Sequence, residues 1–207
     1  PLRCEGETRY LNMMMPTLKC RILTFVALAC LVQGCEKPAP MHGLMADEPL
    51  PAPALRLAGA DRKMFDLSTE RSHTVVLFFG YTHCPDACPT TLSDWARTKT
   101  ALGSKSDAVR FVFVAVDPER DTPDVARKFA LQFDSSFVGL ATTAPQLDTI
   151  AKAWGFTVAR EQMAGMSGYG VSHPAQSFVI TRDGKVRMIF PPGLSPADMA
   201  SDLRQLR

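Results

Sequence analysis

The 207-residue chain has no excess of either charge: 23 basic residues stand against 21 acidic ones. No long basic block occurs, so nothing electrostatic points to nucleic acid as a partner. It has no apolar run of bilayer length, since the run at residues 22–32 would span only about 16 Å as a helix against a hydrocarbon core of roughly 30 Å. Internal repeats are absent. So is the composition of a disordered or collagenous chain, because 46% of residues are apolar and 21% charged, as in an ordinary globular protein of one domain or at most two small ones. A disulfide framework is missing as well. Cys4, Cys20, Cys30 and Cys35 lie near the amino terminus, and Cys84 and Cys88 form an isolated pair.

What is present begins with an export pattern. Lys19 and Arg21 precede the short apolar run, and Val32-Gln33-Gly34-Cys35 resembles the bacterial lipoprotein processing box, in which the cysteine becomes the lipidated first residue. Gln33 departs from that box, and Cys30 after Ala29 is a second candidate. An uncleaved signal anchor is the alternative reading, with the same domain facing the same compartment. Processing at Cys35 removes four basic and two acidic residues and leaves 19 of each. It also leaves one thiol pair, in an oxidising compartment on the periplasmic side of a bacterial inner membrane. Residues 36–53 hold five prolines and read as an extended tether of about 55 Å in polyproline geometry. Met41, His42 and Met45 within it are either simply part of a tail or contacts for a soft metal.

From residue 54 to the end the chain reads as one α/β domain. Residues 74–79 form an apolar, β-branched and aromatic run ending at Gly80, as expected of a strand buried on both faces, and residues 110–116 form a second. Between them Leu92, Trp95, Ala96 and Leu102 fall on one side of a helix beginning near Pro89, so strand, helix and strand make a parallel crossover. Thr122, Pro123 and Asp124 announce another helix with Val125, Phe129 and Phe133 as its buried stripe. Leu147, Ile150, Ala151 and Trp154 mark a third, stopped at Gly155. Residues 177–181 and 185–190 flank Arg182-Asp183-Gly184, in which Asp-Gly predicts an antiparallel hairpin with a type I′ turn. Ser195-Pro196-Ala197-Asp198 opens a closing helix. A parallel half, a hairpin and a final helix give a thioredoxin-like fold, a central mixed sheet flanked by helices.

The chemistry sits at Cys84-Pro85-Asp86-Ala87-Cys88-Pro89, between the carboxyl end of the first buried strand and the positive end of its helix, where thiolates are stabilised. Three intervening residues on a turn can bring two Cα atoms within the roughly 4.4–6.8 Å that a disulfide tolerates. The pair can therefore open and close. The usual redox turn has two intervening residues, and the wider spacing favours holding an ion. Two sulfurs select copper(I), zinc or an iron–sulfur centre, and an added imidazole makes a site that also accepts copper(II). Of the four histidines, His42 lies in the tether, His73 precedes the first strand, and His83 adjoins Cys84 with a diverging side chain. His173, just before the strand at 177, enters from a loop that faces the cysteine turn in such a fold. Pro174 biases it towards extended geometry. Asp117 serves either as a turn residue or in a contact beside the metal or a docking partner. Met163 and Met166, in the loop before His173, read as packing or exposed residues in preference to transient ligands.

The segments Phe79-Gly80-Tyr81-Thr82-His83-Cys84-Pro85-Asp86-Ala87-Cys88-Pro89 and Val116-Asp117-Pro118-Glu119-Arg120-Asp121-Thr122-Pro123, with His173 before the hairpin, resemble the Sco/SenC copper-chaperone family from about residue 55 to the end. The resemblance implies a membrane-tethered, thioredoxin-like protein that assists copper insertion into the binuclear centre of cytochrome c oxidase. It implies that Cys84, Cys88 and His173 bind copper and that the cysteines form a reversible disulfide. Its implied partners are the copper-accepting oxidase subunit, a copper donor, a thiol reductant, and the membrane through an N-terminal lipid or signal anchor. Ser172 and Pro174 depart from the aspartate and the serine or threonine the family often has around the histidine, which bears on tuning more than on ligand identity. The competing readings are a thiol–disulfide oxidoreductase acting on the oxidase cysteines and a thiol peroxidase.

Overall fold

A strand made only of Thr, Val, Leu, Phe and Gly has no face fit for water. In the computed structural model, which describes residues 39–60, 63–162 and 168–206, residues 74–80 are buried along their whole length at the middle of the sheet. In chain order the strands are β1 Leu44–Pro51, β2 Arg56–Ala58, β3 Met64–Asp66, β4 Thr74–Gly80, β5 Val109–Ala115, β6 Val138–Ala141, β7 Ala159–Gln162, β8 Tyr169–Ser172, β9 Ser177–Ile180 and β10 Lys185–Phe190. The helices are α1 Ala87–Leu102, α2 Pro123–Leu131, α3 Ala144–Trp154 and α4 Pro196–Gln205. Six strands make one mixed sheet in the order β1-β10-β9-β4-β5-β6, in which β4, β5 and β6 are parallel and the remaining pairings antiparallel. This is the thioredoxin-like arrangement, α/β with helices against a central mixed sheet.

Alternation along β4 sends neighbouring phenylalanines to opposite faces. Phe78 meets Trp95 of α1 edge-on at 6.2 Å, whereas Phe79 meets Trp154 of α3 at 5.3 Å and Phe156 at 4.6 Å. Each face is thereby sealed by an aromatic cluster directly beneath the point where the chain leaves β4. Gly155 ends α3 in the left-handed conformation at φ 72°, which a glycine adopts without steric cost.

Four expectations need correction. Residues 44–51, read as tether, form the edge strand β1 on β10. Pro49 and Pro51 are compatible with this because an edge strand leaves half of its N–H groups outside the ladder. The entry to β1 is tied down, since the buried Asp202 carboxylate of α4 accepts the backbone N–H groups of His42 (3.0 Å) and Gly43 (2.7 Å) and faces His42 Nδ1 at 3.0 Å. Second, α2 buries Ala126 and Ala130 completely, with Val125, Phe129 and Phe133 only half-buried. The helix lies so close to β6 that a Cβ on Gly139 would collide with the Ala126 carbonyl oxygen. Third, the hairpin loop has three residues where a type I′ turn has two. Gly184 N–H donates to the Thr181 carbonyl at 2.7 Å, Thr181 N–H to Lys185 O at 3.0 Å, and Gly184 takes φ 76°. Fourth, α1 begins at Ala87, ahead of Pro89, so Cys88 already belongs to its first turn.

Strand β6, the β2–β3 ribbon and the β7–β8 ribbon are additions to the elements expected from the sequence. The export segment 1–35, Met163 and Met166 lie outside the described residues. Among the described residues no helix is long and apolar enough to cross a membrane.

Candidate metal centre

Gly80 is the last residue of β4, and its missing side chain is what lets α1 begin where it does. A Cβ there would lie 2.8 Å from Cys88 Sγ and 2.8 Å from a Phe78 ring carbon. The Cys88 sulfur occupies that space, fully buried. Cys84 sits four residues earlier in the loop, half-buried, and its sulfur accepts the Cys88 backbone N–H at 3.4 Å. The sulfur thus does for the first turn of α1 what a capping oxygen usually does, satisfying an N–H that has no partner within the helix. Both thiols are free.

The third group arrives from the far end of the chain. His173 follows β8 directly, and its Nε2 lies 3.6 Å from Cys88 Sγ. Its Nδ1 is 2.9 Å from the Pro174 carbonyl oxygen, which only accepts, so Nδ1 carries the proton and the Nε2 lone pair faces the sulfurs. The ring is held edge-on by Phe78 at 5.5 Å and Tyr81 at 5.6 Å. All three donor atoms fall within 4.8 Å of one another, the only such group of histidine, cysteine and carboxylate side chains among the described residues. An ion bonded to sulfur at about 2.3 Å and to imidazole at about 2.0 Å holds such donors roughly 3.5–4 Å apart, so closing on one requires shifts of under about an ångström.

The two sulfurs are not equivalent. The hydrogen bond from Cys88 draws the Cys84 thiol down to about 3 despite partial burial, with help from the backbone N–H groups of Cys88 and Asp86. The same shared hydrogen bond, together with burial, pushes the Cys88 thiol up. One proton is therefore held on Cys88 between the two, and Cys84 carries the charge.

The other predicted residues separate cleanly. His83 stays exposed, with Nδ1 3.7 Å from an Asp121 oxygen, and His73 pairs with Glu70 at 3.2 Å, so neither ring joins the sulfurs. His42, with Met41 and Met45, is not part of a free tail, because its ring lies between Asp202 and Asp198. Asp117 is buried outside the donor cluster. Its carbonyl closes a turn with the Asp121 N–H at 2.9 Å, and its carboxylate accepts the Tyr169 hydroxyl at 3.0 Å and the Arg120 Nε–H. Asp121, named from the sequence only as a member of the motif at residues 116–123, is equally buried and accepts both the N–H (2.9 Å) and the hydroxyl (2.6 Å) of Thr82, two residues before Cys84. Burial raises its carboxyl. The one available sequence signal was the density of charge at residues 117–121, directly after the apolar run at residues 111–116.

Comparison with known proteins gives a consistent result. The sequence model of the family described as SCO1/SenC matches residues 53–207. A curated protein of Stutzerimonas stutzeri with the provisional name of a copper-binding protein is 33% identical over 138 residues, covering 65% of this chain and 66% of that one. The solution structure of apo Sco1 from Thermus thermophilus has a TM-score of 0.72 at 34% identity, covering 81% of this chain and 98% of the other. Bradyrhizobium japonicum ScoI with copper bound has a TM-score of 0.69 at 27% identity, covering 76% and 100%.

Proposed function

The chain belongs to the SCO1/SenC family, and we propose that it is a copper chaperone that takes one copper ion as cargo on Cys84, Cys88 and His173 and passes it to the copper-accepting subunit of cytochrome c oxidase. The observation that carries this reading is the convergence of two sulfurs and an imidazole whose Nδ1–H is committed to Pro174, leaving Nε2 free to bind. Two thiolates suit copper(I), and the imidazole extends the set to copper(II). Binding copper displaces the proton held on Cys88. Release proceeds by ligand exchange, in which acceptor thiolates replace these sulfurs one at a time. The copper-bound Bradyrhizobium relative and the copper-binding name of the Stutzerimonas protein support copper over zinc. Residues 1–35 would direct export, with Cys35 as the lipid-bearing residue on the periplasmic side of the membrane.

A second reading is favoured by the inequality of the sulfurs. A charged, accessible Cys84 beside a protonated, buried Cys88 is the arrangement of an attacking and a resolving thiol. Cys84 thiolate would attack a disulfide of the oxidase subunit and release one target thiolate. Cys88 would then attack Cys84, closing the 84–88 disulfide and releasing the second target thiol.

The experiment uses His173→Ala and Cys84→Ser. For a chaperone, His173→Ala abolishes stable copper(II) binding and copper transfer to a purified acceptor domain while disulfide exchange persists, and Cys84→Ser abolishes both along with the copper(II)–thiolate absorption. Equal loss of transfer and exchange in His173→Ala defeats this division of roles. Peroxide consumption by the reduced protein tests the peroxidase reading.

A further inference from the structure

The cysteine arm and the histidine arm of the site belong to different parts of the fold. Cys84 and Cys88 leave the end of β4 in the main sheet, whereas His173 follows β8, which pairs only with β7 in a separate two-stranded ribbon. Strand β9, which begins four residues after His173 and pairs with β4, brings this segment beside the cysteine arm, but His173 itself lies outside every strand, so side chains must set the final distance from the imidazole to the sulfurs.

One turn reaches both arms. From the end of β5 the chain folds back through Asp117 to Asp121 before α2 begins, closed by Asp121 N–H on the Asp117 carbonyl. At one end the buried Asp121 carboxylate holds Thr82 by two hydrogen bonds, on the cysteine arm. At the other, the buried Asp117 carboxylate accepts the Tyr169 hydroxyl at the first residue of β8, four residues before His173. Arg120 ties the two together. Its Nε donates to Asp117, and Nη1 donates to the Tyr169 carbonyl at 3.1 Å. Its guanidinium stacks 3.7 Å from the Tyr169 ring centroid and reaches the Tyr81 ring at 5.7 Å, the ring that packs on His173. Two carboxylates withdrawn from water need compensation by fixed partners, and each partner here belongs to the turn or to one of the two arms.

We propose that Arg120, with Asp117, is a positioning residue that sets the distance from the imidazole to the two sulfurs, while Asp121 sets the cysteine arm. The proposal rests on the metal-ligand reading of Cys84, Cys88 and His173 and adds what governs it. Loosening the histidine arm turns a three-donor site into a two-sulfur site without touching either sulfur.

The test compares Arg120→Lys, which keeps the charge and loses the planar fork, with Thr82→Val, which removes one bond to Asp121. Copper(II) affinity, imidazole nitrogen coupling in the paramagnetic resonance spectrum, cysteine alkylation rate, thermal midpoint and amide exchange of β8 are read in each. Arg120→Lys is expected to weaken copper(II) binding about tenfold or more, to lose nitrogen coupling and to speed exchange in β8, with alkylation and midpoint little changed. Thr82→Val is expected to alter alkylation and keep nitrogen coupling. Tyr169→Phe should reproduce the Arg120→Lys pattern in milder form. Unchanged affinity, coupling and β8 exchange in Arg120→Lys overturn the proposal, as does a loss of every property in step with the thermal midpoint. Wild-type protein that takes up no copper overturns the chaperone reading instead, and β8 exchange, which needs no metal, then decides the positioning role by itself.

Discussion

Replacing Gly80 with alanine tests whether the cysteine turn is seated by packing. The added Cβ would stand 2.8 Å from Cys88 Sγ, 2.8 Å from Phe78 Cε1 and 2.9 Å from Phe113 Cε2, where ordinary contact is about 3.5–4.0 Å. Each neighbour must retreat by roughly 0.6–1.2 Å, and none has room: Phe78 and Phe113 are fully buried, wedged against Trp95 and Phe129, and Cys88 is fixed in the first turn of α1. Overpacking of this kind costs about 1–3 kcal/mol, and a domain of this size loses roughly 2–4 °C of Tm per kcal/mol. After about 0.5 kcal/mol of relief from the stiffer unfolded chain, a fall of about 1–10 °C is therefore expected for the reduced protein by calorimetry. Because the sulfur is one of the three obstructions, Gly80→Ala combined with Cys88→Ala should cost less than the two single changes added together, by at least about 0.5 kcal/mol. An unchanged Tm for Gly80→Ala, or strictly additive penalties, refutes the claim that this glycine exists to seat the sulfur.

Two further outcomes follow from the charge distribution. With the Cys84 thiol near 3, iodoacetamide should label the reduced protein at Cys84 already at pH 5, at a rate nearly flat up to pH 8, with Cys88 spared; peptide mass spectrometry showing Cys88 labelled first would contradict this. His42 is raised above its ordinary 6.5, first by its hydrogen bond with Asp202 and then by the charges of Asp198 and Asp202. Its contribution to holding the entry of β1 is complete below pH 6.5 and is lost as pH climbs through the raised value. Protection of the Gly43 amide, corrected for intrinsic exchange, should fall between pH 6 and 8.5 in the wild type and be flat in His42→Gln; identical profiles would remove the histidine from the account.

The elements legible in the sequence were those whose pattern is local. The uniform burial of β4, the proline and cap before α2 and α4, and the 147, 150, 151, 154 stripe of α3 are decided within one segment, and the structure has them in place. Among the site residues, His173 was legible because chain topology alone brings the loop before β9 to the cysteine turn. Residues whose roles depend on partners far along the chain were not. Asp121 bonds a residue 39 positions away, Tyr169 one 52 positions away, and such polar pairings leave no periodic trace. Edge strand β1 escaped for a different reason. Its side chains are exposed or half-buried throughout, so it shows none of the alternation by which strands are recognised, and two prolines argued against it.

The inequality of the two sulfurs constrains either reading of the function. Cys88 is sealed beneath Gly80 with no exposed surface, while Cys84 remains half-open at the end of the helix. A thiol or disulfide arriving from outside therefore meets Cys84 first. Disulfide exchange must begin there, with Cys88 as the resolving group, and an acceptor thiolate reaching a bound ion must also come from that side. Docking at the cysteine turn is thus common to metal transfer and to reduction, and no surface mutation near Cys84 can tell them apart. His173 differs, because its imidazole can hold an ion and takes no part in the sulfur-to-sulfur electron count. The balance between the two activities is consequently read at His173 and at the residues that hold it in place.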